Sequence, residues 1–116
     1  MPDKAILPEK LQQMNLLFDF YGDLLTQKQN DYFTMYYLDD FSLAEIAKIY
    51  QVTPQAAADN LKRTCAILIN YEEKLGLIKK HDVLNEKISN IVQLLDDISN
   101  EPKAVIIKAM VMELND

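Results

Sequence analysis

Apolar residues recur along this chain at helical spacing from one end to the other. Leu11, Met14, Phe18, Tyr21 and Leu25 follow one another at steps of three or four, and Leu17, Phe20 and Leu24 widen the stripe. This pattern predicts a first helix from about Glu9 to Leu25, broad enough in its apolar face to pack against more than one neighbour. Thr26 followed by Gln29 is a capping-box start. It opens a second helix that holds Tyr32, Phe33, Tyr36 and Tyr37 and ends near Asp39-Asp40. Ser42 and Glu45 repeat the signature ahead of Leu43, Ile46, Ala47 and Tyr50, which share one helical face. After a short break at Gln51-Val52, Thr53 can cap a new helix, and Pro54 fits its first position because it has no amide to leave unpaired. No breaker follows until Gly76, so this helix is expected to run from Pro54 to Leu75, roughly 33 Å at ~1.5 Å per residue. Asp82 is a fourth capping signal, ahead of Leu84, Ile88, Ile91, Leu95 and Ile98 at steps of four, three, four and three. Pro102 breaks the chain once more. The final helix, from about Lys103 to Leu114, is apolar on nearly every side, which marks it as deeply buried or as an interface.

Residues 42–63 therefore read as a helix-turn-helix. Small Ala47 and Ala57 let its two helices cross closely around Val52 and Leu61. Such a motif usually presents its second helix to a DNA major groove. The predicted fold is all-α, with about six helices. A domain over 1–76 holds the motif. An extension over 77–116 is expected to pack on it, the Leu84–Ile98 stripe docking against the long helix.

Composition supports the all-helical reading. Hydrophobic residues make up 49% and charged residues 26% of 116 positions, with only two glycines. Nine of the ten aromatics lie between Phe18 and Tyr50, which places the densest core in the N-terminal half. The net charge is −6. Residues 1–41 carry 3 basic and 7 acidic groups, residues 42–76 carry 4 of each, and residues 77–116 carry 5 and 7. The motif is the least acidic segment without being basic. Affinity for nucleic acid rests largely on Lys and Arg neutralising phosphates, so the charge argues against tight DNA binding by a monomer.

Little in the chain points to catalysis. His81 and Cys65 are single, and no spacing matches a metal site or a nucleophile with its base. His81, between Lys80 and Asp82 at a predicted helix start, reads as exposed or capping. Cys65 shares a face with Leu61 and Leu68 and reads as a small core residue. Asp39-Asp40 reads as a solvated loop. Two widely separated glycines cannot build a phosphate-cradling loop. We therefore expect a non-enzyme with no catalytic residue, metal or cofactor. One cysteine excludes an internal disulfide, Met1-Pro2-Asp3 starts neither a basic nor an apolar leader, and no apolar run approaches a membrane span. A cytoplasmic protein without membrane insertion is the expectation.

On the second helix of the motif, the outward positions should be Pro54, Gln55, Ala58, Asp59, Lys62 and Arg63. Gln55 could bond an adenine edge, and Lys62 or Arg63 could hold phosphates. Asp59 would repel a phosphate, and Ala58 offers only a methyl. Gln55, Asp59, Lys62 and Arg63 are the candidate contacts to nucleic acid or to a partner. Two uses stay open: groove reading, or a helix-turn-helix kept as a folding unit or protein-binding surface.

The run from Asn15 to about Leu75 resembles the YlxM family of small bacterial proteins, most specifically in the combination LLTxKQxxYxxxYYxxDxSLAEIA, followed by DNLKRTCAILINYEEKL. The resemblance implies a fold similar to region four of bacterial sigma factors. The family's genes commonly neighbour those for the signal recognition particle GTPase and its receptor, which implies a role in or over that targeting pathway. Members typically read S-R-Q-A-V followed by an aromatic or His, whereas this chain has Thr53-Pro54-Gln55-Ala56-Ala57-Ala58. An Arg and a large side chain are thus missing from the groove-facing surface. Gln51 also stands where such turns usually carry Gly, so a non-glycine residue must accept a left-handed conformation.

These readings lead to a regulatory or accessory protein that engages signal recognition particle components, protein or RNA. The alternative is a transcription regulator that binds duplex DNA, weakly, as a dimer. A homodimer is expected in either case, because the apolar surface of Val105 to Leu114 exceeds what one small domain easily buries. Ile106, Met110 and Leu114 are its candidate interface residues.

Overall fold

The computed structural model describes residues 8–114, and among these every regular element is helical. The elements are α1 (Pro8–Tyr21), α2 (Gln27–Phe33), α3 (Leu43–Tyr50), α4 (Pro54–Leu75), α5 (Leu77–Asp96) and α6 (Pro102–Glu113). The chain divides into two compact units, which meet in sequence at Gly76 and Leu77.

In the N-terminal unit, helix ends follow the capping chemistry. Thr26 Oγ1 accepts from the Gln29 amide, and the Gln29 side chain accepts from the Thr26 amide. Ser42 and Glu45 make the same reciprocal pair. Thr53 Oγ1 accepts from the Ala56 amide at 3.1 Å, and Gly76 closes α4 in the left-handed conformation at φ 61°. Each bond satisfies a backbone group that a helix terminus leaves open.

Two local departures alter the predicted outline. First, α1 stops at Tyr21, and Gly22–Leu24 tighten into a 3₁₀ turn. The turn brings the Gly22 backbone against the Phe18 ring, where an added Cβ would stand 3.2 Å from the ring carbons. Asn30 Nδ2 also donates to the Gly22 carbonyl. Leu24, beyond the end of α1, is consequently exposed, while Met14, Leu17 and Tyr21 form the buried face of α1. Second, α2 widens after Phe33 into a π-helical turn over Thr34–Leu38. The Asp39 amide donates to Thr34 O and the Phe41 amide to Met35 O, and Asp40 takes φ 59°. Asp is among the few non-glycine residues that accept this conformation readily.

Aromatic rings fill the space between these helices. Phe18 stacks on Phe33 with centroids 4.4 Å apart, and Phe33 lies 4.5 Å from Tyr37. Tyr21 meets Tyr71 of α4 and donates from its hydroxyl to Glu72. The buried stripe of α4 is Ala57, Leu61, Thr64 and Leu68. Thr64 is the one polar member; its hydroxyl donates to the Asn60 carbonyl one turn back at 3.0 Å, which removes the penalty of burying it.

The C-terminal unit is a pair of helices. α5 begins at Leu77, ahead of the expected start at Asp82. The apolar repeat that includes Leu84, Ile88, Ile91 and Leu95 runs back in phase to Leu77, and the Gly76 turn delivers the chain straight into it. Ile88 and Leu95 are buried, as is Ala104 of α6, while Leu84, Ile91 and Ile98 stay exposed. Pro102 occupies the first turn of α6, where its missing amide costs nothing. Lys108 Nζ donates to Asp96 Oδ1 at 2.9 Å, tying α6 to the end of α5.

Candidate functional site

The helix-turn-helix is formed by α3, the turn at Gln51-Val52 and the first half of α4. Leu43, Ile46 and Ala47 bury one face of α3 against Ala57 and Leu61 of α4, with Tyr32 and Tyr36 beneath and Val52 packed alongside. Ala47 and Ala57 are almost wholly inaccessible, as a close crossing of two helices requires.

The turn is built without glycine. Gln51 adopts φ 56° and ψ 45°, and the Val52 amide donates to Ala47 O at 2.9 Å while the Gln51 amide donates to Lys48 O at 3.3 Å. This is a Schellman closure, normally made by glycine. The left-handed backbone predicted at Gln51 is present.

Beyond the turn, Gln55, Asp59, Lys62 and Arg63 are exposed on one face of α4, opposite the Ala57–Leu68 stripe. The four candidate residues thus share a surface. Ala58 does not join it: the residue is half-buried and packed against the core, because it lies only a fraction of a turn from the direction of Leu61. Within the face, Arg63 Nη2 lies 2.7 Å from Asp59 Oδ2. Asp59 is expected above to repel a phosphate and to serve as a candidate partner contact, but not to pair with Arg63; their spacing of four on a helix is the signal that predicts the pair. The guanidinium is therefore engaged by its own helix, and Lys62 beside it carries the charge that this ion pair leaves over.

Other candidates lie elsewhere. Cys65 is half-buried, with its Sγ 3.5 Å from the Tyr37 hydroxyl, so it is a less enclosed residue than its spacing predicted. Burial, followed by the Cys65 contact, pushes the Tyr37 hydroxyl far above the usual tyrosine range. His81 is exposed but sits inside α5, not at a helix start. Asp39 and Asp40 are exposed beyond the π-helical turn. Among the described residues no group of three or more His, Cys, Asp or Glu is placed to hold a metal ion, and no helix is long and apolar enough to cross a membrane.

Ile106 and Met110 of α6, and Leu114 just beyond its end, are each more than 60% exposed, and Val105, Ile107 and Met112 are exposed as well. Within its own unit, among the described residues, this helix is not deeply buried.

Comparison with known proteins agrees with the motif. A UPF0122 protein of Bacillus velezensis is 52% identical over 95 residues, covering 82% of this chain and 86% of that protein. The UPF0122 protein YlxM of Bacillus subtilis is 52% identical over 93 residues, or 80% and 84% of the two chains. A UPF0122 protein of Bacillus cereus is 48% identical over 101 residues. Residues 8–108 match the family model described as "Putative helix-turn-helix protein, YlxM / p13 like". With its capped helix pair, closed turn and match across nearly the whole described chain, this protein belongs to the UPF0122 family of YlxM-like helix-turn-helix proteins.

Proposed function

We propose that this protein is a non-enzymatic regulatory or accessory component of the signal recognition particle pathway in the cytoplasm. In this reading it engages a protein or RNA of that machinery through the Gln55–Arg63 face. The link to the pathway rests on the family resemblance and its gene neighbourhood. The choice of partner class rests on one observation, the Asp59–Arg63 ion pair on the surface a helix-turn-helix would turn to DNA. Duplex binding draws much of its affinity from Lys and Arg neutralising phosphates, with release of the counterions condensed there. Here two cations share a face with one carboxylate, on a chain of net charge −6. A face of mixed charge with a carboxamide at its start suits a protein surface better than a run of phosphates, and an RNA partner would have to be held through its exposed bases or shape rather than by charge alone.

The test uses the purified full chain against three probes: the signal recognition particle GTPase, the particle's RNA and a mixed-sequence DNA duplex. Binding to the GTPase or the RNA, and its loss when Lys62 and Arg63 are both changed to Ala, is the expected outcome. Binding to the duplex alone would contradict it.

A second reading, a dimeric DNA-binding transcription regulator, is favoured by the intact turn and by Gln55, exposed in the first turn of α4. It requires duplex affinity that falls steeply with salt and depends on Gln55, Lys62 and Arg63.

A further inference from the structure

The outer face of α6 is unusual for a helix in a small protein. Ala104 is buried, and Lys108 and Val111 are half-buried, so these residues mark the side turned toward α5. The opposite side exposes Ile106 and Met110, at 61% and 62%, with Lys103 at one end and Glu113 at the other. Ala109 between them is also exposed and presents no bulk. Leu114 widens the face at its C-terminal end, and Leu94 and Ile98, exposed where α5 gives way to the turn into α6, add further apolar area in the same unit. Large apolar side chains exposed side by side on one helix of so small a unit mark an interaction surface rather than ordinary solvent-facing positions.

The order of residues along this face is symmetric in a way that names its occupant. Lys103 and Glu113 lie equally far on either side of Lys108, and so do Ile106 and Met110. A second copy of α6 laid antiparallel about that midpoint sets Lys103 against Glu113 of its partner helix, and Ile106 against Met110, at both ends of the contact. A two-fold interface demands this kind of self-complementarity, since each copy offers the same patch to the other. The midpoint cation does not obstruct it: Lys108 points to the α5 side and is bonded to Asp96. Ala109, next to the midpoint, permits close approach of the two helix axes.

From this self-complementary face we infer that α6 pairs antiparallel with α6 of a second copy of this chain, Ile106 and Met110 forming the apolar centre and Lys103–Glu113 the flanking ion pairs. The interface is independent of the Gln55–Arg63 face and of the function proposed for it.

Sedimentation equilibrium of the full chain tests the arrangement. The wild-type protein should sediment as a dimer of the 13.4 kDa chain. Ile106→Glu with Met110→Glu should weaken association at least a hundredfold, since two charges per copy would enter the apolar centre, with helicity and melting of the N-terminal unit retained. Orientation is read from charge reversal. Lys103→Glu alone, or Glu113→Lys alone, places like charges together twice and should weaken the dimer roughly tenfold. The double exchange restores opposite pairs and should recover most of the loss. A monomer at all concentrations, a dimer indifferent to the Ile106/Met110 change, or a double exchange that adds the losses of its two single variants would each overturn the proposal.

Discussion

At Gln51 the chain asks an L-residue to do what glycine does more easily. The left-handed conformation costs a non-glycine residue about 1–2 kcal/mol, part of which glycine returns as extra freedom of the unfolded chain. Gln51→Gly should therefore stabilise the protein by about 0.5–1 kcal/mol, read as a rise in the urea midpoint at unchanged slope; a fall would show that the Gln51 side chain supports the turn. Tyr37 gives a second test. Its folded-state pKa is raised, chiefly by burial and further by Cys65, while the unfolded value is near 10. A raised folded pKa means that the stabilisation is fully present below pH ~10 and is lost as pH climbs above it toward the folded value. Tyr32 and Tyr50 are shifted in the same direction by burial and add to the effect. Tyr37→Phe keeps the ring against Phe33 and Tyr36 and should make the alkaline loss of stability shallower; an unchanged alkaline profile would remove Tyr37 from that account. At neighbouring positions, reading single residues missed what a pair does. Asp59 and Arg63 are each read from their types as surface contacts, but at a spacing of four they also pair with one another on the same exposed face.

Among the elements, α4 is the one whose extent was most legible. Thr53-Pro54 and Gly76 are local signals with a backbone mechanism, and nothing between them competes. The continuous helix predicts strong amide protection from Arg63 through Tyr71, fraying only toward Leu75. Exchange as fast as a coil from Cys65 onward would contradict the helix. Leu68, fully buried in α4, is expected to cost about 3 kcal/mol on truncation to Ala, measured by chemical denaturation; a loss below about 1 kcal/mol would mean that this stretch is not packed. The elements that escaped prediction did so because long-range periodicity or packing prevailed over a local signal. Asp82 looks like a cap, but the apolar repeat extends back to Leu77 and helix propagation overrides it. The π-helical turn after Phe33 has no short signature of its own; within it Tyr37 packs 4.5 Å from Phe33 and 4.9 Å from Tyr36. Boundaries closed by Thr, Ser, Pro or Gly chemistry were readable, whereas those set by ring packing were not.

For the whole molecule, the contrast is between a densely packed motif-bearing unit and a C-terminal helix pair that leaves large apolar side chains exposed. The motif retains its turn and its crossing, but the face it turns outward has neutralised half of its own positive charge. Asp59→Ala would release Arg63, and any binding to RNA or DNA should then strengthen, with a salt dependence steeper than the wild type's; a partner bound only through protein contacts should show no such change in slope. Lys62 and Arg63 project to solvent and do not touch the Leu61–Leu68 core, so replacing both with Ala should leave the melting temperature nearly unchanged. The most direct test of the central claim is a titration of this double variant and the wild type against the signal recognition particle's GTPase, its RNA and a DNA duplex, at low and physiological salt. The account predicts that the wild type binds the GTPase or the RNA at physiological salt, that the variant loses this binding while melting normally, and that duplex affinity is weak for both. Tight duplex binding at physiological salt that is lost in the variant, with no binding to either particle component, would contradict it.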